Sequence, residues 1–410
     1  MVSQLVFLVG ALAVPLTCAP LRAQTNAGPG LGDVVAIALR QNPDIVSARL
    51  RVDSAHGEQR IARAIPNPLF SSNPNQPWNY SATILLDVMP QRILRTRAAG
   101  RGTEAARADA DDVIRQVTFA VRQAFYDVLL TEQQRDLVRE RRDIFRQLLA
   151  ADSVRLRAGD VPPREVTKAE LELARADADL MRADAQVHAA RLALQLLMGV
   201  ADPDTAFTVR GELAYRPVRA PFDSLAAIAG NRSDVRSARA RVGQSRALRS
   251  LSRSMWIPVP EVSLTHATGP FGSDGLFSNG TPNAIGFGFV LPVFDWNGGE
   301  RERSAAGLEQ AELNARRVQA LVANDVATAV DAYRSSRGLA ENYEGGLLAK
   351  ARAVLETARY AYGTGAVSLL ELLDAIATYS DTRSDYYTAV HDYWVSVFAL
   401  SRAAGKDLLQ

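Results

Sequence analysis

Few residues of this chain have the type and spacing that catalysis, metal binding or cofactor binding requires. It contains four histidines, at positions His56, His188, His266 and His391. They share no helical spacing, so each is expected to be a surface or packed residue rather than a metal ligand. Gly363-Thr364-Gly365 lacks the further glycine and the preceding strand of a dinucleotide-binding loop. The sequence therefore predicts no enzyme activity, no cofactor and no metal site.

The amino terminus resembles a secretory signal peptide over residues 1–23. An apolar run from Leu5 to Leu16 precedes a small residue, Ala23, at the expected cleavage point. The alternative is a membrane anchor, but an apolar run of about 12 residues cannot span ~30 Å of hydrocarbon. The single cysteine, Cys18, lies in this segment in a context unlike a lipid-attachment site. Cleavage after Ala23 would leave no cysteine, which excludes disulfides and cysteine-ligated metals.

The composition favours long packed helices and gives no reason to expect a nucleic-acid partner. The net charge is +2, and no block of like charges occurs. Alanine, leucine and charged residues dominate, and only 7% of residues are aromatic. Beyond residue 23, no segment has the 18 or more uncharged apolar residues of a membrane helix. The mature chain is therefore expected either to be soluble or to enter a membrane as strands.

The sequence contains an internal duplication. A shift of 206 positions places Gly159 on Gly365 and Gly199 on Gly405, and a second shift of 190 positions aligns the segments that begin at residues 44 and 234. Two copies of this length indicate two equivalent halves of one object rather than a solenoid. The expected organisation is a signal peptide (1–23), a first repeat (24–199), a linker (200–221) and a second repeat (222–410).

Each half is predicted to contain short helices, a strand pair and a long helical hairpin. Apolar positions at 3–4 spacing predict rods over residues 91–157 and 299–362, and each rod is followed by a return helix that ends at a glycine. Alternating patterns predict strands over residues 78–88, 261–268 and 283–293, and a short extended segment completes the first pair. Residues 269–282 are expected to form an exposed turn. The fold class is mostly α with a small β part.

The last predicted strand has two different faces. Its aromatic and aliphatic side chains point one way and its glycines the other; the first set is Ile285, Phe287, Phe289 and Leu291. One alternative is a sandwich strand with a core on that side, and the other is a barrel strand with these residues toward lipid. Open sheet edges cannot lie in hydrocarbon, and four strands cannot enclose a lumen. A membrane location would therefore require several chains, and three chains would supply 12 strands.

The order of elements resembles that of the TolC-like outer membrane factors, the exit ducts of Gram-negative efflux pumps and type I secretion systems. The resemblance covers essentially the whole mature chain. It is carried most specifically by the two rod-to-return turns, Arg157-Ala158-Gly159-Asp160-Val161 and Tyr362-Gly363-Thr364-Gly365-Ala366-Val367-Ser368. Within the family the chain looks most like the branch that serves heavy-metal-type resistance pumps.

This resemblance implies a homotrimer in the bacterial outer membrane. A 12-stranded β-barrel would sit in the lipid, and a long α-helical barrel would extend into the periplasm. The implied partners are a periplasmic adaptor and an inner-membrane pump of the RND type, or else an ABC exporter. The turns would lie at the periplasmic tip, and the implied adaptor contacts are Gly159, Val161, Gly365, Val367 and Ser368.

The resemblance also implies a periplasmic entrance that can close. Glu371 and Asp374 fall where the family places carboxylates that line the entrance, and rings of carboxylates favour cations. Tyr362 and Glu165 match positions that hold neighbouring helices together in the closed state. A simpler alternative is that Glu371 and Glu165 begin the return helices, where a carboxylate suits the positive end of the helix dipole.

The predicted function is thus the passive outer membrane duct of a tripartite efflux system. Alternatives are a type I protein secretion duct, a periplasmic coiled-coil adaptor or scaffold, and a soluble secreted helical protein. An adaptor would show a single hairpin flanked by β-rich domains, whereas the hairpin here is duplicated and the strands are few.

Overall fold

The computed structural model describes residues 28–74, 78–87, 90–218, 225, 228–268 and 283–408. The predicted signal peptide, residue 88 of the first predicted strand, residues 219–221 of the linker and the predicted turn 269–282 lie outside these residues.

Helices dominate the described chain. In order, the elements are α1 (Leu31–Gln41), α2 (Pro43–Arg63), β1 (Leu69–Asn73), β2 (Trp78–Leu85), α3 (Pro90–Ala158), α4 (Pro163–Met198), α5 (Ser233–Ser254), β3 (Pro260–Thr268), β4 (Asn283–Phe289), α6 (Gly298–Asn342), a π-helical turn (Tyr343–Leu347), α7 (Leu348–Gly363) and α8 (Leu369–Ala404). The prediction of a mostly α fold with a small β part is confirmed.

Local sequence sets the ends of these helices. The side-chain oxygen of Asn42 accepts the N–H of Asp44 at 2.9 Å and caps α2, and Pro43 occupies its first position. Helix α3 continues for 69 residues, roughly 100 Å at the usual rise per residue. The first predicted rod is therefore confirmed.

The two halves repeat in structure with the offsets seen in the sequence. Helices α4 and α8 each have 36 residues, and both of their ends differ by 206 in number. Helices α2 and α5 begin 190 residues apart, at Pro43 and Ser233. The duplicated segments thus fold into equivalent elements.

The long helices pack side by side in a layer. Helix α4 packs on α3, α3 on α8, and α8 on both α6 and α7; α2 and α5 also pack on α3, and α6 packs on α5. One buried cluster joins α1, α3, α4 and α8 around Phe125, Leu194 and Phe398. A second cluster, around Phe145 and Ile376, joins α3, α4, α7 and α8 near the hairpin turns. Within the described residues, the layer has two outer sides, one formed by α2 and α4 and the other by α6 and α7.

The strands form one antiparallel sheet in the order β1-β2-β3-β4. Strands β2 and β3, one from each half, pair from Trp78 opposite Thr268 to Leu85 opposite Glu261. Strands β1 and β4 are therefore the two edges of the described sheet.

The register gives this sheet two chemically different faces. One face is apolar over its middle and its helix-proximal end and carries Phe70, Ala82, Ile84, Val262, Leu264, Ile285, Phe287 and Phe289. The other face is mainly small and polar and includes Ser71, Ser81, Thr83, Ser263, Thr265, Gly286 and Gly288. The alternation predicted for β4 is confirmed, because Phe287 is 80% exposed while its glycine neighbours are half-buried.

Three of the predicted elements have the wrong extent. Strand β2 ends at Leu85, three residues before its predicted end, and residues 86 and 87 lie outside it. Strand β4 ends at Phe289, so Leu291 lies outside the sheet and is exposed. Its partner β3 begins at Pro260, which lies opposite Phe289. Beyond Phe289, β3 therefore has no further residue with which β4 could pair. The second rod is not one helix, because the π-helical turn separates α6 from α7. Gly346 in that turn has φ 134°, which glycine tolerates. None of the described helices has the length and apolar character needed to cross a membrane.

Candidate functional site

The two hairpin turns hold most of the predicted site residues. Gly159 follows α3 with φ 82°, and Gly365 follows α7 with φ 77°. In each turn, the N–H of the residue after the glycine donates to a carbonyl five residues earlier, at 2.9 Å in the first turn and 2.8 Å in the second. A helix end of this kind needs a left-handed residue, which glycine supplies without a Cβ clash. The two halves therefore end their long helices with the same motif.

The turn residues differ in what they expose. Gly159, Gly365 and Ser368 are exposed, and Val367 is half-buried. Val161 is only 7% exposed, so its side chain is buried. The Oγ of Ser368 accepts the N–H of Glu371 at 3.3 Å and caps α8. Of the predicted contact residues, the second turn therefore exposes side-chain atoms of Val367 and Ser368, whereas the first exposes mainly the backbone of Gly159.

Tyr362 lies in a buried polar contact between α7 and α3. Its hydroxyl donates to the carboxylate of Asp152 and lies 2.9 Å from Oδ1 and 3.0 Å from Oδ2. Tyr362 is 8% exposed and Asp152 is fully buried. Buried polar groups are costly unless they are paired, so this bond favours the arrangement in which the two helices keep it.

Two further charged residues lie beside this pair. The guanidinium of Arg155 is 5.4 Å from the centre of the Tyr362 ring and 3.8 Å from Oδ1 of Asp152. Burial is the main cause that raises the pKa of the Tyr362 phenol; the hydrogen bond to Asp152 raises it further, and the charge of half-buried Glu165 adds to the effect. The phenol therefore stays protonated and remains a donor at neutral pH.

Glu371 and Asp374 are exposed at the start of α8. Three residues apart, they lie on neighbouring positions of one helix face. In the part of the chain that the structure describes, neither carboxylate takes part in a hydrogen bond or an ion pair. Asp374 lines an open cavity of about 360 Å³ together with Arg141, Lys168 and Arg175. The structure thus groups Tyr362 and Glu165 with Asp152, and leaves Glu371 and Asp374 outside that group.

Sequence reasoning missed Asp152. Phe145, Leu148 and Asp152 follow one another at spacings of three and four, on the buried face of α3. A carboxylate at an apolar position of a helix is a signal for a buried partner. The partner is 210 residues away, so the sequence could mark Asp152 but could not name Tyr362.

The histidines lie apart from the turns. His391 of α8 contacts Asp127 of α3 through Nε2 at 2.7 Å and its neighbour Asp392 through Nδ1 at 3.0 Å. Burial alone would lower the pKa of His391, but the bonds and charges of the two aspartates together raise it. No group of three or more potential metal ligands is found among the residues described above.

Comparison with known proteins extends over nearly the whole chain. The family model described as outer membrane efflux protein matches residues 75–200 and 225–406. The cobalt-zinc-cadmium resistance protein CzcC of Cupriavidus metallidurans is 26% identical over 396 residues, which cover 94% of this chain and 93% of that protein. This similarity confirms the prediction that the chain resembles the heavy-metal branch of the family.

Solved channel structures share the fold. The outer membrane channel CmeC of Campylobacter jejuni has a TM-score of 0.79 at 16% identity, over 97% of this chain and 94% of that chain. A structure of CusC, described as forming a transmembrane channel, has a TM-score of 0.75 at 20% identity, over 97% of this chain and 99% of that one. These likenesses confirm the predicted TolC-like fold.

Proposed function

The chain belongs to the outer membrane efflux protein family, and on that premise we propose that three copies of it form one duct. The family assignment makes the protein an outer membrane duct of the tripartite efflux type, with a large periplasmic portion. The proposal concerns how the duct is assembled, closed and coupled. In the proposed trimer, 12 strands form a barrel in the outer membrane, and the long helices form a second barrel in the periplasm.

The two-faced sheet is the observation that carries this proposal. Its apolar face, which carries Phe287 on β4, suits contact with lipid, and its small polar face suits a water-filled lumen. Four strands cannot close alone, and unpaired edges cannot lie in hydrocarbon. Because the sheet has an even number of antiparallel strands, β4 of one copy runs antiparallel to β1 of the next. Neighbouring strands are therefore antiparallel all the way around the ring of three copies.

The helical layer supports the same assembly. Apolar side chains are exposed on both of its outer sides. On α2 and α4 they include Leu50, Ile61, Leu171, Met181 and Leu196; on α6 and α7 they include Leu313, Leu321, Leu339 and Val354. Two different surfaces that meet head to tail close into a ring when the rotation per copy allows it. Contact between α2 and α4 of one copy and α6 and α7 of the next would bury both sets.

Cross-linking across the strand edges tests this assembly. Ser71→Cys on β1 combined with Ala284→Cys or Gly286→Cys on β4 should link neighbouring copies into trimers in the outer membrane. Ser71→Cys with Thr265→Cys is the matched control, because β2 separates these strands within one copy and their distance exceeds that of a disulfide. Native mass spectrometry in detergent should give three chains. A detergent-free monomer would reject the proposal.

The strand residues Ile285, Phe287 and Phe289 are proposed to contact outer membrane lipid, because their side chains lie on the apolar face. Leu291 follows the end of the strand and is 62% exposed. We place it at the junction between the sheet and the periplasmic helices.

The hairpin turns are proposed to contact a periplasmic adaptor. Gly159, Gly365 and Ser368 are exposed and Val367 partly so, at the end of the molecule formed by both turns. Buried Val161 would shape the first turn rather than touch the adaptor with its side chain. The adaptor would connect the duct to an inner-membrane pump of the RND type, which supplies the energy.

The entrance is proposed to close through two sets of residues. Tyr362 joins α7 to α3 through Asp152, with Glu165 beside the pair. Glu371 and Asp374 are exposed on α8 and would form carboxylate rings around the axis of a trimer. Loss of the hydrogen bond between Tyr362 and Asp152 would release α7 from α3 and open the entrance. The carboxylate rings of Glu371 and Asp374 would then line the path of the cations.

Divalent transition-metal ions are the proposed cargo. The support is the name of the Cupriavidus relative, a cobalt-zinc-cadmium resistance protein. Deletion of the gene should lower the growth limit in cobalt, zinc or cadmium, and the intact gene should restore it. Unchanged metal tolerance together with loss of one secreted protein would instead favour the alternative, a type I secretion duct that serves an ABC exporter.

A further inference from the structure

We propose that Glu261 sets the ion preference of the strand barrel. This inference rests on the proposed trimer, in which three copies of this residue would face one lumen. Glu261 is the only charged residue within the four strands Leu69–Asn73, Trp78–Leu85, Pro260–Thr268 and Asn283–Phe289.

The register places Glu261 on the small, polar face of the sheet. It lies opposite Leu85 of β2 and opposite Gly288 of β4, and Ser263 and Thr265 follow it on the same face. Its own neighbour Val262 points to the apolar face, with Phe287 opposite. The carboxylate is therefore directed to the side that a barrel would turn toward water.

Glycine on the next strand makes room for the carboxylate. A Cβ added at Gly288 would come within 2.5 Å of Oε1 of Glu261 and within 3.0 Å of its Cγ. The side chain thus lies across β4, in the space that Gly288 leaves open. Its neighbour on the same face, Gly286, is similarly covered by Ser263, whose Oγ would be 2.6 Å from an added Cβ.

The carboxylate has no cationic partner in the described part of the chain. A paired carboxylate would present little net charge, whereas an unpaired one contributes its full field to the space it faces. Charged rings in a narrow water-filled path favour the passage of counter-ions, and a wall of low dielectric strengthens the effect. Three unpaired carboxylates at one level would favour cations over chloride. Glu261 would therefore be a residue that determines which ions pass.

Reversal potentials in planar bilayers test this role. The full-length trimer, measured under a KCl gradient, should prefer potassium. The entrance carboxylates are first removed in a Glu371→Gln, Asp374→Asn background, so that the strand barrel alone sets the ratio. In that background Glu261→Gln should bring the cation-to-anion permeability ratio toward one, and Glu261→Lys should bring it below one. An unchanged reversal potential in both variants, with channels still conducting, would overturn the inference.

Two further variants separate a role in the lumen from a role in folding. Glu261→Gln combined with Ser263→Glu moves the carboxylate along the same face and should restore the cation preference; Glu261→Gln combined with Leu264→Glu places it on the apolar face and should not. Gly288→Ala keeps the charge but displaces the side chain, and should shift the reversal potential by less than Glu261→Gln does. Failure to trimerise or to conduct in the unmodified protein would instead count against the proposed assembly.

Discussion

The hydroxyl of Tyr362 lies 2.9 Å from Oδ1 of Asp152 and ties the second half of the chain to the first. The contact joins α7 to α3 just before both hairpin turns, within the cluster that also holds Phe145 and Ile376. Both residues are buried, and the carboxylate is fully so. Separation of the pair would require either rehydration of the carboxylate or a new donor. The contact is therefore suited to stabilise the closed arrangement of the hairpin turns.

Removal of this hydrogen bond should loosen the entrance. Tyr362→Phe leaves the Asp152 carboxylate without its phenol donor, and the loss of such a partner costs about 1–3 kcal/mol. We expect a larger single-channel conductance in planar bilayers and a lower unfolding midpoint. The matched control is Tyr360→Phe, because Tyr360 lies on the same helix and is 76% exposed. Equal conductance in the two variants would rule out the closing role.

Neutralisation of the entrance carboxylates should weaken block by multivalent cations. In Glu371→Gln combined with Asp374→Asn, three chains would lose six charges from the proposed rings, so cations would bind there less tightly. The measurement is the blocking constant of a trivalent cation added to the periplasmic side. Glu170→Gln, an exposed carboxylate on α4, serves as the single-charge control. A blocking constant that stays at the wild-type value would place Glu371 and Asp374 outside the conducting path.

A negative charge at the second turn should uncouple the duct from its adaptor. Gly365 has φ 77°, and both asparagine and aspartate tolerate this region better than other residues do. Gly365→Asp and Gly365→Asn therefore carry similar backbone strain and differ in charge. We expect metal resistance to fall further in the aspartate variant, while both still form trimers. Loss of trimers in both variants would show that the glycine serves folding rather than docking.

A charge on the apolar face of β4 should prevent insertion. Phe287→Arg would place a guanidinium toward lipid at a cost of about 2–4 kcal/mol near the bilayer centre. The control is Ala284→Arg, because Ala284 lies on the opposite face of the same strand. The outer membrane fraction should contain much less of the first variant than of the second. Equal amounts would contradict the orientation proposed for the sheet.

The sequence predicted the elements whose signals are local. The predicted rod over residues 91–157 matches α3 to within one residue at each end, because its apolar spacing is regular and Gly159 ends it. The early end of β4 depends instead on Pro260 of the neighbouring strand. The break at Gly346 was missed because a glycine in a helical pattern costs only about 1 kcal/mol, and packing decides whether the helix continues.

The residues of the candidate site also fall into those with a local sequence signal and those without one. Glycine turns are visible in the sequence because their conformation requires a particular residue, and the duplication marks them twice. The contact between Tyr362 and Asp152 is not visible, since it depends on how two distant helices align. Similarly, the faces of the sheet follow from β4 alone, but the position of Glu261 beside Gly288 depends on the register.

The contact between His391 and Asp127 should make stability depend on pH. The aspartates raise the pKa of His391 in the folded chain above its ordinary value of about 6.5. The stabilisation is therefore complete below the unfolded pKa, and it is lost as the pH rises through the folded value. Asp127→Asn should lower the unfolding midpoint most near pH 6, and the difference from the wild type should shrink toward pH 9. His188→Gln, a change at an exposed histidine of α4, should leave the profile unaltered. A difference that stays constant from about pH 5 to pH 9 would mean that the histidine is neutral throughout, and that its bond to Asp127 joins α3 to α8 without charge.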